Sequence, residues 1–175
     1  MPLSDPSLLV IVVATAPQAG KTTVACHVAL RLKVDHVPSS RVVVERVERA
    51  LSLSPGTIVA VRTSSPETYR PELIAEADAM RAAGVYPGVL CVEAGYRIID
   101  GLRTEAELDA TLAAAAARGL HALVLCVDRP VGAHAPDNTE RDRLLARADA
   151  VVRNTGSIKD LLASVDAVLG HASSE

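Results

Sequence analysis

Residues 8–23 read LLVIVVATAPQAGKTT, and no other stretch narrows the fold so far. A short run of branched aliphatic residues, apolar at every position, has to be buried on both faces. That is the condition of a strand inside a parallel sheet with helices above and below it. The run breaks at Thr15-Ala16-Pro17-Gln18-Ala19-Gly20-Lys21-Thr22, and Lys21–Leu32 then has helical composition. A Gly-Lys-Thr between a buried strand and a helix places successive backbone N–H groups where they face an anion. Lys21 would reach the β- and γ-phosphates of ATP, and the Thr22 hydroxyl would ligate Mg²⁺. Thr15, Gln18, Ala19, Gly20, Lys21, Thr22 and Thr23 are therefore the expected nucleotide-binding residues. Thr15 stands where such loops usually carry their first glycine. Threonine is restricted in φ but still adopts extended geometry, and Gly20 remains where the backbone comes closest to phosphate.

The rest of the chain continues the alternation. Arg41–Leu53 carries Val44, Val47 and Leu51 at helical spacing, and Thr57–Val61 reads as a short strand after the turn Ser54-Pro55-Gly56. Pro71–Ala83 is expected to be helical, with proline at its first position and Gly84 just past its end. Tyr96–Asp100 reads as a second buried strand, Glu105–Arg118 as a helix stopped by Gly119, and His121–Val127 as a third strand. A loop over 131–139, helix Arg141–Arg147, strand Ala150–Arg153 and helix Ile158–Leu169 complete the pattern. Strands alternating with helices predict a three-layer α/β/α fold around a central parallel sheet, in one domain of 175 residues.

Composition excludes other classes. The net charge of −3 argues against general nucleic-acid binding and against anionic membranes. No apolar stretch approaches the roughly 20 residues that span a bilayer. The start MPLSDPS lacks the features of a signal peptide, so a cytoplasmic protein is expected. Cys26, Cys91 and Cys126 are odd in number, far apart and set among apolar residues, and read as buried reduced thiols. Phenylalanine and tryptophan are absent, which leaves the core to Val, Leu, Ile and Ala. Tyr69, Tyr86 and Tyr96 are the only rings available for stacking.

Four blocks, YRPELIAEADAMRAAGVYPG, YRIIDGLRTEAEL, LVLCVDRP and ADAVVRNTGSIKDLLASVDAVL, follow in the order found in P-loop nucleoside monophosphate kinases. The chain most resembles the phage-type deoxynucleoside monophosphate kinases and dephospho-CoA-kinase-like proteins, over roughly residues 8–169. The resemblance implies transfer of the γ-phosphoryl of ATP to a nucleoside monophosphate, with Mg²⁺ accompanying the nucleotide, and a homodimer as in related phage kinases. It makes Asp35 the acidic residue near the acceptor phosphate, and Asp100 a carboxylate contacting Mg²⁺ through water. Arg103 becomes an acceptor contact, with Glu107 fixing its fork. Arg41, Arg62 and Arg70 fall on the acceptor side, with Arg81 sharing a helix face with Arg70. Arg129 begins a short lid over about 129–140 and would act on the transferring group, with Arg141 and Arg143 as further lid residues. Asn154 resembles the residue lining the adenine pocket. The His-x-Ser-Glu pattern that follows the lid in these kinases is matched only by Asp137-Asn138-Thr139-Glu140.

Two other classes fit the same loop. One is a P-loop ATPase or ligase of the dethiobiotin-synthetase type, to which GKTTVACHVALRL is equally suited; DGLRTEAEL and NTGSIKDL count against it. The other is a nucleotide-binding module without catalysis, made conceivable by Thr15 and the altered lid.

Overall fold

The computed structural model describes residues 6–16, 18–129 and 139–172, with backbone alone at 139–141 and 171–172. Strand β1 (Leu8–Ala14) leads through the loop into helix α1 (Lys21–Leu32). There follow β2 (His36–Pro38), α2 (Ser40–Ala50), α3 (Thr57–Ser64), α4 (Arg70–Ala82) and α5 (Pro87–Glu93). The chain then runs through β3 (Ile98–Asp100), α6 (Glu105–Ala117), β4 (His121–Asp128), α7 (Thr139–Ala146), β5 (Ala150–Arg153) and α8 (Ile158–Ala172). The five strands form one parallel sheet in the order β2-β3-β1-β4-β5.

Strand β1 is central because its side chains are apolar on both faces. Val10 and Val12 pack with Val24 and Val28 of α1 and Leu161 and Val165 of α8. Leu9, Ile11 and Val13 pack on the other face with Val92 of α5, Leu108 of α6 and Leu144 of α7. Each face buries its own core, so the architecture is α/β/α, as the alternation predicts. A smaller cluster (Val44, Val47 and Ile58, with Tyr69 and Leu73) joins α2, α3 and α4 outside the sheet.

Several expectations change. Thr57–Val61 is helical rather than extended, because its start is held from another element. The buried Glu48 carboxylate of α2 accepts from Gly56 N at 3.0 Å and Ile58 N at 2.8 Å. Those bonds outweigh the β-propensity of the Thr-Ile-Val run. Strand β2 is not predicted by the sequence pattern, since three residues ending in proline carry little strand signal and suit only a sheet edge. Helix α5 was not anticipated either; PGVLCVE has no polar face to mark a helical period. Only Ile98–Asp100 of the 96–100 run pairs in the sheet. Cys91 and Cys126 are buried, as expected, but Cys26 is exposed on α1. Burial, with the nearby Glu107 charge second, pushes the Cys91 thiol up to about 12, so it stays protonated. The loop expected over 131–139 lies outside the described residues except for Thr139, which opens α7. Among the described residues, no helix is long and apolar enough to cross a membrane.

Candidate active site

The carboxyl ends of β1, β3 and β4 meet at the loop 15–20, the place where open parallel sheets bind ligands. The left-handed turns of this loop fall on Gln18 (φ 57°) and Gly20 (φ 100°). Thr15 is not among the left-handed residues, so the missing first glycine brings no backbone strain there. The position has another use. The buried Thr15 hydroxyl donates to Asp128 Oδ1 at 2.9 Å and accepts from Arg129 N at 3.3 Å, while Thr15 N bonds Val127 O. A side chain that glycine lacks thus ties the end of β1 to the end of β4.

Further bonds fix the loop from the β5 side. Asn154 donates from its backbone to Asp128 O at 2.7 Å and from Nδ2 to Ala19 O at 2.8 Å. Arg129 Nη1 donates to Gln18 O at 3.0 Å. At Gly20 a Cβ would come within 3.0 Å of Asn154 Nδ2 and 3.2 Å of Leu161 Cδ2; its φ strains any side chain, and those two neighbours would have to give by a few tenths of an ångström to admit one. Beside this support, Arg129, Asn154, Thr155, Gly156 and Ile158 line an open cleft of about 500 Å³. Helix α1 begins at Gly20 with no side-chain cap and no acidic residue in its first turn. Its opening N–H groups are therefore left without a partner from the helix's own first turn, at the positive end of the helix dipole.

On the β3 side lies Asp100, fully buried at the strand's end. Its Oδ1 is 4.0 Å from Lys21 Nζ, and its Oδ2 is 3.3 Å from His36 Nε2. Neither oxygen has a properly aligned hydrogen bond. Burial alone would raise this carboxyl. The His36 contact, the Lys21 charge and the Thr22 hydroxyl together outweigh it and hold Asp100 below the usual carboxylate range. Gly101 (φ 90°) follows, and a Cβ there would meet Ser39 Oγ at 3.2 Å and Lys21 Cε at 3.8 Å. Backbone bonds from Ser39 N to Asp100 O and from Gly101 N to Val12 O draw β2, β3 and β1 together at this edge.

A buried, ionised carboxylate without aligned partners, next to a threonine hydroxyl, is an all-oxygen donor set. That set suits Mg²⁺, which takes one or two protein oxygens and leaves its other positions to water and phosphate. Thr22 and Asp100 are the residues that would hold it. Among the described residues no group of three or more His, Cys, Asp or Glu side chains is arranged to bind a metal alone.

The structure brings together Thr15, Gln18, Ala19, Gly20, Lys21, Thr22, Asp100, Arg129 and Asn154, with Thr23 in the first turn of α1. It does not bring Asp35 to them. Asp35 is exposed just before β2, at the amino edge of the sheet, whereas the loop follows the carboxyl edge. Arg41, in the first turn of α2, and Arg103, three residues past Asp100, sit exposed on the β2–β3 rim. Arg41 bonds Glu45 at 2.7 Å. Glu107 does not fork onto the Arg103 guanidinium. Its carboxylate accepts from Arg103 N at 3.1 Å, while Glu107 N donates to Thr104 Oγ1; the pair resembles a capping box, with the carboxylate reaching the residue before the N-cap. Burial, against the opposing bonds from Arg103 and Gly88 N–H groups, raises the Glu107 carboxyl.

Arg62 and Arg70 belong to the α3–α4 cluster, where Arg62 Nε bonds Pro66 O at 3.4 Å and Arg70 pairs with Glu67 at 3.2 Å. Arg70 and Arg81 lie at opposite ends of α4, about 16 Å apart along its axis. They do not converge on one phosphate, and Arg81 pairs with Asp78. Most of the expected lid, including Asp137-Asn138, lies outside the described residues, as do the Thr139, Glu140 and Arg141 side chains; Arg143 is exposed on α7. Sequence reasoning missed Asp128 and His36. Asp128 directly follows the strand predicted over His121–Val127, and that placement is the available signal; His36 has none, because no strand is predicted there.

No family model matches the chain, and no curated protein matches it. Solved structures are similar to it. Shikimate kinase from Aquifex aeolicus superposes with a TM-score of 0.53 at 18% identity, over 95% of this chain and 100% of that one. A sugar kinase from a Janibacter species gives 0.43 at 17%, over 95% and 96%. The shikimate kinase shares its fold with this chain over that span.

Proposed function

We propose that the chain is an ATP-dependent phosphotransferase that moves the γ-phosphoryl group to a phosphate oxygen of a nucleoside monophosphate, giving ADP and the diphosphate. One observation carries the reading. Lys21, Thr22 and the buried, ionised Asp100 converge at the uncapped start of α1. Phosphoryl transfer depends on positioning and charge stabilisation more than on a strong base, and this corner supplies both. The N–H groups at the start of α1 and Lys21 would hold the nucleotide phosphates. The Asn154–Ile158 cleft is suitably placed for the base, since Asn154 already holds the loop that would grip the phosphates. Mg²⁺, held by Thr22 and through water by Asp100, would neutralise charge on the phosphate oxygens.

The nucleoside monophosphate acceptor rests on the resemblance of the four sequence blocks, and Arg41 and Arg103 on the β2–β3 rim are the arginines best placed to meet it. Arginine suits the task because its fork bonds two oxygens and keeps its charge. Coupled ADP release against a panel of ribo- and deoxynucleoside monophosphates, with shikimate and no acceptor as further arms, tests the reading. ADP release only with a nucleoside monophosphate supports it. Equal release without acceptor would make the protein an ATPase, and none in any arm a silent binder.

A further inference from the structure

Three side chains from three elements stand in a row behind the Lys21–Thr22 corner. Cys26 Sγ on α1 lies 3.7 Å from Nδ1 of His36 on β2, and His36 Nε2 lies 3.3 Å from Oδ2 of Asp100 on β3. The His36 side chain is 12% exposed and that of Asp100 1%. His36 Nε2 and both Asp100 oxygens are buried without an aligned hydrogen bond. Cys26 is exposed to solvent. His36 is level with Ile98 in the sheet, and Pro38 is level with Asp100, so the ring reaches along the sheet to the diagonal neighbour. A carboxylate can only accept, so the contact calls for a proton on Nε2; in a neutral ring Nδ1 is then the acceptor that faces the Cys26 thiol.

We infer that His36 is a positioning residue for Asp100: by engaging Oδ2 it leaves Oδ1 directed to the Lys21–Thr22 side, where the cation of a nucleotide complex would be met. The inference rests on the phosphotransferase reading of this site and adds what aims its carboxylate. Packing alone gives no reason for the ring. An imidazole set against a carboxylate in the interior is costly to desolvate, and an aliphatic side chain would fill the same edge-strand position without that cost. The contact is long in the absence of nucleotide, as site hydrogen bonds often are before they tighten on binding. Cys26 holds the far side of the ring.

Two measurements on the full-length protein test this. The first is Mn²⁺ affinity in the presence of ADP, read by electron paramagnetic resonance, for wild type and for His36→Ala, His36→Gln and His36→Asn. Glutamine places an N–H about where Nε2 stands, whereas asparagine reaches only the Nδ1 position. Alanine should weaken Mn²⁺ binding by about tenfold or more, glutamine should recover most of it and asparagine little. Metal-free ADP binding should be unchanged in all three. Equal affinities across the set, or equal losses, would overturn the inference. The second is the nitrogen-15 spectrum of the neutral His36 ring without nucleotide. The expected result is an Nε2-protonated ring whose Nε2 signal moves in Asp100→Asn and whose Nδ1 signal moves in Cys26→Ala. An Nδ1-protonated ring indifferent to Asp100→Asn overturns it whatever the metal data. A wild type that binds no Mn²⁺ with ADP sinks the phosphotransferase reading instead, and the ring spectrum still decides the His36–Asp100 arrangement.

Discussion

Both strands that flank β1 end in an aspartate, and the two ends have opposite fates. Asp128, at the end of β4, has an oxygen taken by the Thr15 hydroxyl and its backbone carbonyl taken by Asn154 N. It fastens the loop. Asp100, at the end of β3, is more deeply buried, yet neither oxygen has an aligned bond, and a lysine and a histidine stand 3.3–4.0 Å away. It faces the corner where charge would arrive. The same residue at the same topological place becomes a fastener or an open acceptor according to what its neighbours satisfy. A buried polar group left without partners is costly, so the open one marks the place where a ligand would complete the structure.

Substitutions can break this contrast, starting with the largest effect. Lys21→Ala should lower phosphoryl transfer by at least about 100-fold, the loss expected when a fixed charge facing the transition state is removed. The side chain is 39% exposed, so the melting temperature should hardly move; near-normal turnover in a folded variant would remove the loop from the chemistry. Asp100→Asn should cut turnover by roughly 10- to 100-fold and raise the Mg²⁺ concentration needed for half-maximal rate. Asp128→Asn should leave that concentration unchanged. Coinciding Mg²⁺ titrations for all three proteins would erase the distinction between the two ends.

The fastening end is probed through stability. Thr15→Val removes the buried hydroxyl bond to Asp128 Oδ1 and should cost about 1 kcal/mol, seen as a fall of about 2 to 4 °C in Tm per kcal/mol. Thr15→Ser should restore most of it, and a Thr15→Val protein as stable as wild type would show that the bond fastens nothing. Arg129 touches the same loop from outside, through Gln18 O. Arg129→Ala is expected to lower kcat by a fewfold with little change in acceptor KM, whereas Arg41→Ala and Arg103→Ala on the opposite rim should raise KM by a fewfold. Steady-state kinetics with varied acceptor at saturating ATP separates the two patterns, and the reverse split would exchange the roles of the rims.

Glu107 supplies the smallest effect and a third kind of buried carboxylate, one that caps a helix. Its folded carboxyl is raised by burial. The folded state therefore holds its proton more tightly than the unfolded chain, and the associated stability is fully present only below the unfolded value of about 4.3. That stability is lost as pH rises through the raised folded value. Relative to Glu107→Gln, which keeps a carbonyl for Arg103 N, wild type should gain stability as pH falls from neutral toward that value. Urea unfolding across this range would show a flat difference if burial does not control the group.

The site divides along the same line as the fold. The loop 15–23 and Asp100 were legible because local chemistry fixes them: an apolar run, a glycine, a lysine and a hydroxyl in unbroken order, and a carboxylate closing a buried strand. The role of Asp35 rests on the resemblance alone, and the residue precedes β2, a strand too short to be read from the sequence. Arg103 and Glu107 are correctly adjacent in sequence, but the carboxylate prefers a backbone N–H at a helix start to a solvated guanidinium.

By itself, then, the sequence determined the layered α/β/α fold and the position of the loop between β1 and α1, because burial of β1 on both faces and the opening of α1 are properties of contiguous residues. Tertiary structure alone decided that Thr15 fastens β1 to β4, that Glu48 turns Thr57–Ser64 into a helix, and that His36 meets Asp100. Each of these is a pairing of polar groups far apart in the chain, whose worth depends on the water that folding removes from around them.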